Sequence, residues 1–174
     1  YDGSIHYADH QIGRLIERLE ALGQLENTII VISSDHGDAL GENGKYLGHP
    51  PALSSDEVLH VPLVMAGPGI PAGTRVDGLS MNVDIVPTLV ELLRIDVNLL
   101  AEGESLVKAM REVGAPSPHD YVFSHVGISD DTAYVLRNGQ FKFEYRVDTG
   151  RTRLWRVPDL LGRRVDCAVD HPQV

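Results

Sequence analysis

The feature that most constrains this chain is a run of β-branched residues that ends abruptly in polar ones. Residues 29–32, Ile-Ile-Val-Ile, have no polar member. Such a run is typical of a strand covered on both faces, as in a parallel sheet, where each side chain contributes about 1.5–3 kcal/mol on burial. Polar residues follow at once, from Ser33 to His36. Because open α/β sheets bind ligands at the carboxyl ends of their strands, we expect a functional site here.

The residues after this strand are suited to metal binding. Asp35 offers an anionic oxygen, His36 an imidazole nitrogen, and Gly37 permits a tight turn beneath them. Donors of these two kinds suit a divalent cation that keeps positions open for substrate. Asp35 and His36 are therefore candidate metal ligands. The alternative is that Asp35 caps a following helix and His36 occupies an ordinary loop position.

Several motifs around this turn resemble the sulfatase branch of the alkaline phosphatase superfamily. That branch has a strand followed by Ser-Asp-His/Asn-Gly, then Gly-His/Lys, and then an apolar Val-Pro-Leu strand. Matching motifs occur in the family order along nearly the whole chain, at residues 8–16, 34–37, 48–49, 61–63, 67–69, 83–89 and 102–106. Their order is more specific than any single motif.

The resemblance implies roles for three residues. Asp35 and His36 would ligate a divalent metal ion, with Ca²⁺ expected and Mg²⁺, Mn²⁺ or Zn²⁺ as alternatives. His49 would be catalytic, because the matching residue of sulfatase-like enzymes contacts the transferred group or the leaving oxygen. In related two-metal phosphatases and phosphomutases a similarly placed histidine binds metal instead, and the sequence leaves both roles of His49 open.

The function that the resemblance implies is metal-dependent hydrolysis of a small sulfate or phosphate ester. The Cys/Ser-x-Pro-Ser-Arg motif, which carries the family's formylglycine nucleophile, does not occur in the 174 residues. The chain is therefore expected to be the C-terminal portion of such an enzyme and to be inactive alone, with the nucleophile in a preceding half. The alternatives are a two-metal phosphatase, phosphodiesterase or phosphomutase relative, and a non-catalytic domain that binds an anion or a partner.

Composition argues against two kinds of partner. The formal net charge is -10, with 25 acidic against 15 Lys and Arg residues. Nucleic-acid binding normally needs a basic surface, so no nucleic-acid partner is expected. No apolar stretch of the length needed to span a bilayer occurs, so no membrane partner is expected. Cys167 is the only cysteine and is interpreted as structural.

The predicted fold is α/β in two parts. Residues 1–114 are assigned to a mostly parallel, alkaline-phosphatase-like sheet flanked by helices, in which the helix of residues 5–22 packs on strands at residues 29–32 and 63–66. Residues 115–174 are assigned to the last core strand, at residues 121–126, and a small antiparallel subdomain. A primed turn at Asn138-Gly139 is expected to connect two strands of that subdomain.

Polar residues in the predicted elements are given ordinary roles. Asp84 or Asn82 is expected to cap the helix that follows, which gives Asp84 a structural role. Asp9 and His10 are expected on a solvated helix face. Lys45 and Lys142 are also expected to be solvated, because lysine is so often exposed.

Overall fold

The computed structural model describes residues 1–42, 47–50, 54–98, 100–112, 114–128 and 131–157, so the expectations for Lys45 and Cys167 fall outside it. None of the helices in these ranges is long and apolar enough to cross a membrane. The helices are α1 (Asp2–Ala21), α2 (Asp56–Leu59), α3 (Ile85–Leu92) and α4 (Val107–Arg111), with 3-10 turns at Leu25–Asn27 and Asn82–Asp84. The strands are β1 (Ile30–Ser33), β2 (Ala39–Leu40), β3 (Leu47–Gly48), β4 (Leu63–Ala66), β5 (Val122–Ile128), β6 (Asp131–Arg137), β7 (Phe141–Arg146) and β8 (Thr152–Arg156).

Helix α1 forms where its apolar periodicity predicts it, and it ends as expected at Gly23. The φ angle of Gly23 is 66°, a left-handed conformation that favours glycine, and its N–H donates to the Glu20 carbonyl at 2.8 Å. The predicted packing of this helix on a sheet is wrong for the described residues. No residue of α1 is buried, and Ile5 and Leu15 are 54% and 61% exposed.

Strands β1 and β4 share a sheet, but they pair antiparallel. Ile30 lies opposite Ala66, and Ser33 lies opposite Leu63. Every pairing among the described strands is antiparallel, so the predicted mostly parallel sheet is not observed. Parallel neighbours need a crossover that carries the chain back along the sheet, usually a long helix. The described part of this connection holds only the β2–β3 ladder and the single turn of α2, which return the chain in the opposite direction.

Asp84 organises the region around α3. Its side chain is fully buried and accepts hydrogen bonds from the backbone N–H groups of Met81, at 2.7 Å, and Glu104, at 2.9 Å. His119 Nε2 lies 2.9 Å from both carboxylate oxygens. Asp84 stands at the N-cap position of α3, but its side chain makes no capping hydrogen bond to that helix and instead caps the preceding 3-10 turn through Met81. Its role is structural, as predicted, although the predicted bond to the helix is not formed. Its other two bonds join this turn to distant parts of the chain.

The last four strands form one antiparallel sheet in the order β5-β6-β7-β8. The predicted meander is confirmed, but the strand expected at residues 121–126 was wrongly assigned to the core sheet. It is β5, which pairs with β6 along its whole length. The Asn138-Gly139 turn also forms, although Gly139 does not have the positive φ of a primed turn. The Asn138 side chain instead accepts from the N–H groups of Gln140 and Phe141 at 2.8 and 2.7 Å.

The two faces of this sheet are polarised in an unexpected direction. Phe141, Phe143 and Tyr145 on β7 are exposed, whereas the alternating residues Lys142 and Glu144 are only 9% and 3% exposed. The expectation of a solvated Lys142 is therefore wrong. Because side chains alternate along a strand, Lys142 lies on the face opposite the aromatic side chains, and that face is turned towards the rest of the chain.

Replacement of Asp84 by alanine tests its structural role. The Asp84→Ala variant leaves the N–H groups of Met81 and Glu104 and the His119 ring without their acceptor and opens a gap where a fully buried side chain lay. We therefore expect a loss of about 2–4 kcal/mol in the free energy of unfolding, measured by urea denaturation. Asp77, which is 70% exposed and pairs with Arg75 at 2.7 Å, is the control. The Asp77→Ala variant should lose less than about 1 kcal/mol. Equal losses in the two variants would contradict the role given to Asp84.

Candidate metal and substrate site

The turn that follows β1 is held by side-chain hydrogen bonds on both sides. The Ser33 hydroxyl donates to the Pro62 carbonyl at 2.9 Å, which ties the end of β1 to the entry of β4. The Asn82 amide donates to the Ser34 carbonyl at 2.8 Å, and the Ser34 hydroxyl donates to the His36 carbonyl at 2.6 Å. These bonds satisfy backbone groups that the sheet leaves free where β1 ends. The turn that carries Asp35 and His36 is therefore fixed to the sheet.

Gly37 packs its backbone directly against α2. Its N–H donates to the Val58 carbonyl at 2.8 Å, and Val58 is buried. A Cβ atom at position 37 would overlap the Glu57 carbonyl oxygen. Only glycine fits this approach, so the reason for Gly37 is the proximity of another backbone rather than an unusual dihedral angle.

His36 is oriented by its own neighbour. Its Nδ1 lies 3.1 Å from the Gly37 carbonyl oxygen. A carbonyl can only accept a hydrogen bond, so this contact assigns the proton to Nδ1 and leaves the Nε2 lone pair available. Metal-binding histidines commonly donate their second nitrogen to a backbone carbonyl in this way. The contact therefore prepares Nε2 as a ligand atom.

Asp35 places a carboxylate beside that nitrogen. Its Oδ2 lies 3.8 Å from His36 Nε2, and its side chain is 88% exposed. Two donors on one ion, with bonds of about 2.0–2.6 Å, lie roughly 3–4 Å apart. The separation and the mixed oxygen and nitrogen donors thus fit a shared divalent cation. The next described element after Asp35 is strand β2 and not a helix, which removes the alternative that Asp35 caps a helix.

The Asp35 carboxyl is held in its ionised form. Hydrogen bonds from the backbone N–H groups of His36 and of Asp35 itself, together with the nearby imidazole, lower the pKa of Asp35 below its ordinary value of 3.8. A depressed pKa means that the charged form stabilises the fold above the pKa of the unfolded chain. This contribution is lost as the pH falls through the folded-state value. At neutral pH the carboxylate is available to a cation.

His49 is brought to the turn by the β2–β3 ladder. Ala39 pairs with Gly48, which places Asp38 and His49 opposite each other at the end of the ladder. His49 Nδ1 lies 2.7 Å from Asp38 Oδ1, and the rings of His49 and His36 have centroids 4.1 Å apart. The Asp38 carboxylate can only accept, so Nδ1 of His49 is the donor and Nε2 is left for another partner.

Asp38 is the residue that the sequence reasoning missed. His36, Asp38 and His49 each offer a ligand atom, and these atoms lie within 4.8 Å of one another. The group could hold a metal ion as it stands, although the 2.7 Å between Asp38 and His49 is a hydrogen-bond separation. The signal in the sequence is weak: the two short segments that form the ladder, Ala39-Leu40 and Leu47-Gly48, are compatible with a hairpin, and such a hairpin brings residues 38 and 49 together.

Comparison with known families gives a match over much of the chain. The sulfatase family model matches residues 1–95. A choline-sulfatase of Rhizobium meliloti is 34% identical over 148 residues, which cover 83% of this chain and 28% of that protein. An N-acetylglucosamine-6-O-sulfatase of Bacteroides thetaiotaomicron is 35% identical over 122 residues, which cover 70% of this chain and 21% of that protein. The chain thus spans less than a third of either protein and corresponds to a C-terminal part of such relatives.

Solved structures agree in fold. A protein bound to its substrate D-glucosamine-2-N,6-O-disulfate superposes with a TM-score of 0.76 and 29% identity, covering 87% of this chain and 32% of that one. The phosphonate monoester hydrolase of Silicibacter pomeroyi gives a TM-score of 0.74 and 26% identity, covering 90% of this chain and 33% of that one. The antiparallel arrangement described above is therefore compatible with hydrolase structures of this kind.

Replacement of Gly37 tests the backbone contact beneath the site. In Gly37→Ala the added methyl group forces the turn and α2 apart, so we expect a loss of about 1–3 kcal/mol in unfolding free energy. Gly13 in α1 has open space around it, so Gly13→Ala should instead stabilise by about 0.5–1 kcal/mol. Both are measured by thermal and urea unfolding. A Gly37→Ala variant as stable as the parent chain would show that the contact does not constrain the turn.

Proposed function

The chain belongs to the sulfatase family, and we propose that it supplies part of the metal and substrate site of an enzyme that hydrolyses small sulfate esters. The observation that carries the proposal is the 3.8 Å separation between Asp35 Oδ2 and His36 Nε2. This nitrogen has a free lone pair because the proton of the His36 ring is on Nδ1, which donates to the Gly37 carbonyl. The choline- and N-acetylglucosamine-6-O-sulfatase relatives support a sulfate ester as substrate. They do not share one alcohol portion, so the proposal is limited to the ester class.

In this proposal Asp35 and His36 hold a divalent cation at the end of β1. When bound, the ion acts as a Lewis acid that polarises the ester group and neutralises developing charge. Ca²⁺ is proposed because of the hard carboxylate oxygen, while the imidazole nitrogen also suits Mn²⁺ or Zn²⁺. Gly37 contributes by keeping the turn against α2, so that the two donors stay in place.

His49 is proposed to act on the ester oxygen. Its Nδ1–H is directed at Asp38, which holds the ring in one orientation. Nε2 can then donate a hydrogen bond or a proton to the departing oxygen. The His36 ring, 4.1 Å away, places this group next to the proposed metal site. Asp38 is a positioning residue in this scheme, because it acts through His49.

The formylglycine nucleophile of the sulfatase reaction is proposed to come from another part of the complete protein. The 174-residue chain has no Cys/Ser-x-Pro-Ser-Arg motif, so we expect no sulfatase turnover from it alone. The mostly parallel sheet of the family fold is likewise proposed for the complete protein. The exposure of Ile32 on β1 and Val64 on β4 supports this, because further strands or helices would cover these side chains.

A second candidate function is two-metal hydrolysis of a phosphate or phosphonate ester. It is favoured by the grouping of His36, Asp38 and His49 and by the likeness to a phosphonate monoester hydrolase. In that case His49 ligates a metal ion instead of donating to the ester oxygen. The two candidates therefore differ in what His49 binds.

Metal titrations of two variants separate these functions. We expect Asp35→Ala to lower the affinity of the chain for Ca²⁺ or Mn²⁺ by at least about tenfold, because half of the donor pair is removed. His49→Ala should retain the affinity under the sulfatase proposal and lose it under the two-metal alternative. Isothermal titration calorimetry measures both. Asp9→Ala and His10→Ala on the exposed face of α1 are the matched controls and should bind as the parent does.

Two results would count against the proposal. Unchanged metal affinity in Asp35→Ala would remove Asp35 from the site. In the complete enzyme, His49→Ala should lower kcat by about 100-fold or more if it acts as a general acid, with metal content unchanged. Full activity in that variant would remove the role of His49.

A further inference from the structure

Two buried charged side chains of the C-terminal sheet, Lys142 and Glu144, and the half-buried Arg137 face α2. Lys142 Nζ donates to the Ser54 carbonyl and to Asp56 Oδ1, the latter at 2.9 Å. Arg137 Nη1 lies 3.1 Å from the other Asp56 oxygen. The Ser54 hydroxyl donates to Glu144 Oε2. The start of α2 is thus bonded to strands β6 and β7, more than 80 positions later in the chain.

The hydrogen bonds that Lys142 donates to the start of α2 are charge-assisted, which makes them stronger than bonds between neutral groups. Lys142 is 9% exposed, and its charge is balanced by Asp56 and by a backbone carbonyl at the same point. Burial raises the pKa of the Asp56 carboxyl, but the Lys142 ammonium and then Arg137 outweigh it, so the pKa lies below its ordinary value of 3.8. The Asp56 carboxylate is ionised at neutral pH. Removal of Asp56 leaves the buried Lys142 ammonium without its charged partner, which is costly. Removal of Lys142 leaves Asp56, which is 44% exposed, paired with Arg137 alone.

The other end of the same helical turn holds the candidate site. Val58 accepts the Gly37 N–H at 2.8 Å, and the Glu57 carbonyl lies against the Gly37 Cα. Gly37 in turn offers its own carbonyl to His36 Nδ1 at 3.1 Å. A continuous series of polar contacts therefore runs from Lys142 through α2 and Gly37 to the imidazole.

We propose that Lys142 is a positioning residue, which holds the Asp35–His36 turn in its metal-binding geometry by fixing the start of α2. The metal-binding part of this inference rests on the proposed function, whereas the coupling between Lys142 and Gly37 does not. The single turn of α2 is too short to be stable without tertiary contacts, so its position depends on those made at its two ends. Loss of the Lys142 contacts frees the first end and loosens the second.

The test compares Lys142→Met with Lys142→Arg and Lys108→Met in the 174-residue chain. Methionine keeps the length of the side chain and removes the charge, while arginine keeps the charge and donors. Lys108 on α4 is exposed and serves as the control. Amide hydrogen exchange of Gly37, measured by NMR, reports the coupling without any metal. Titration with Mn²⁺ alone reports its consequence for binding.

Lys142→Met is expected to lower the exchange protection of Gly37 by about tenfold while the β6–β7 amides stay protected. Its Mn²⁺ affinity should fall by about 10–100-fold, as for other outer contacts of metal ligands. Lys142→Arg should recover most of both, and Lys108→Met should match the parent. If Lys142→Met does not fold, Asp56→Asn takes its place, since it removes the charge of the partner and keeps the shape.

The outcomes distinguish a failure of the positioning role of Lys142 from a failure of the proposed metal-binding function. Unchanged Gly37 protection, in whichever of Lys142→Met and Asp56→Asn is folded, overturns the inference. So does an equal loss of protection across the β6–β7 amides, because that indicates general destabilisation rather than a local link. A parent chain that binds no Mn²⁺ overturns the proposed metal function instead. In that case the Gly37 exchange data still decide whether Lys142 positions the turn.

Discussion

The arrangement of the candidate site depends on one backbone contact, between Gly37 and the last residues of α2. It is made by a hydrogen bond to Val58 at 2.8 Å and by a carbonyl of Glu57 where a side chain would otherwise lie. Because both partners are backbone atoms, the spacing between turn and helix does not depend on rotamers. His36 adjoins this contact and is oriented by the Gly37 carbonyl. The position of the His36 imidazole therefore depends on the position of α2.

Several basic side chains of this chain, whose net charge is -10, pair with carboxylates of elements that are distant in sequence. Lys142 and Arg137 meet Asp56 at the start of α2, and His119 meets the buried Asp84. Ion pairs removed from water add little net stability, since desolvation offsets much of the attraction, so the importance of these contacts lies in the elements that they join. In this molecule they join the C-terminal strands to α2 and to the turn before α3. The proposed site is therefore supported by parts of the chain distant from it in sequence.

Local features of the fold could be predicted from the sequence, whereas pairing between distant segments could not. Helix α1, helix α3 and the hairpin at Asn138 follow from periodicity and turn chemistry. The antiparallel pairing of β1 with β4 was missed, because a β-branched run has the same pattern in either direction. Lys142 was misjudged for a related reason, since alternation separates two faces without saying which one is covered. Asp35, His36 and His49 were predicted as site residues from a motif order that resembles a family, whereas the proximity of Asp38 to His49 depends on the register of β2 and β3.

The central claim is that His36 binds a divalent cation through Nε2 while its Nδ1–H is held by the Gly37 carbonyl. Cadmium–nitrogen coupling in NMR spectra of the chain, labelled at its histidine nitrogens and loaded with Cd²⁺, tests this most directly, because it identifies each ligating atom. The account predicts coupling at Nε2 of His36 and a proton retained on its Nδ1. Coupling at Nδ1 of His36, or at no nitrogen of that ring, would contradict it.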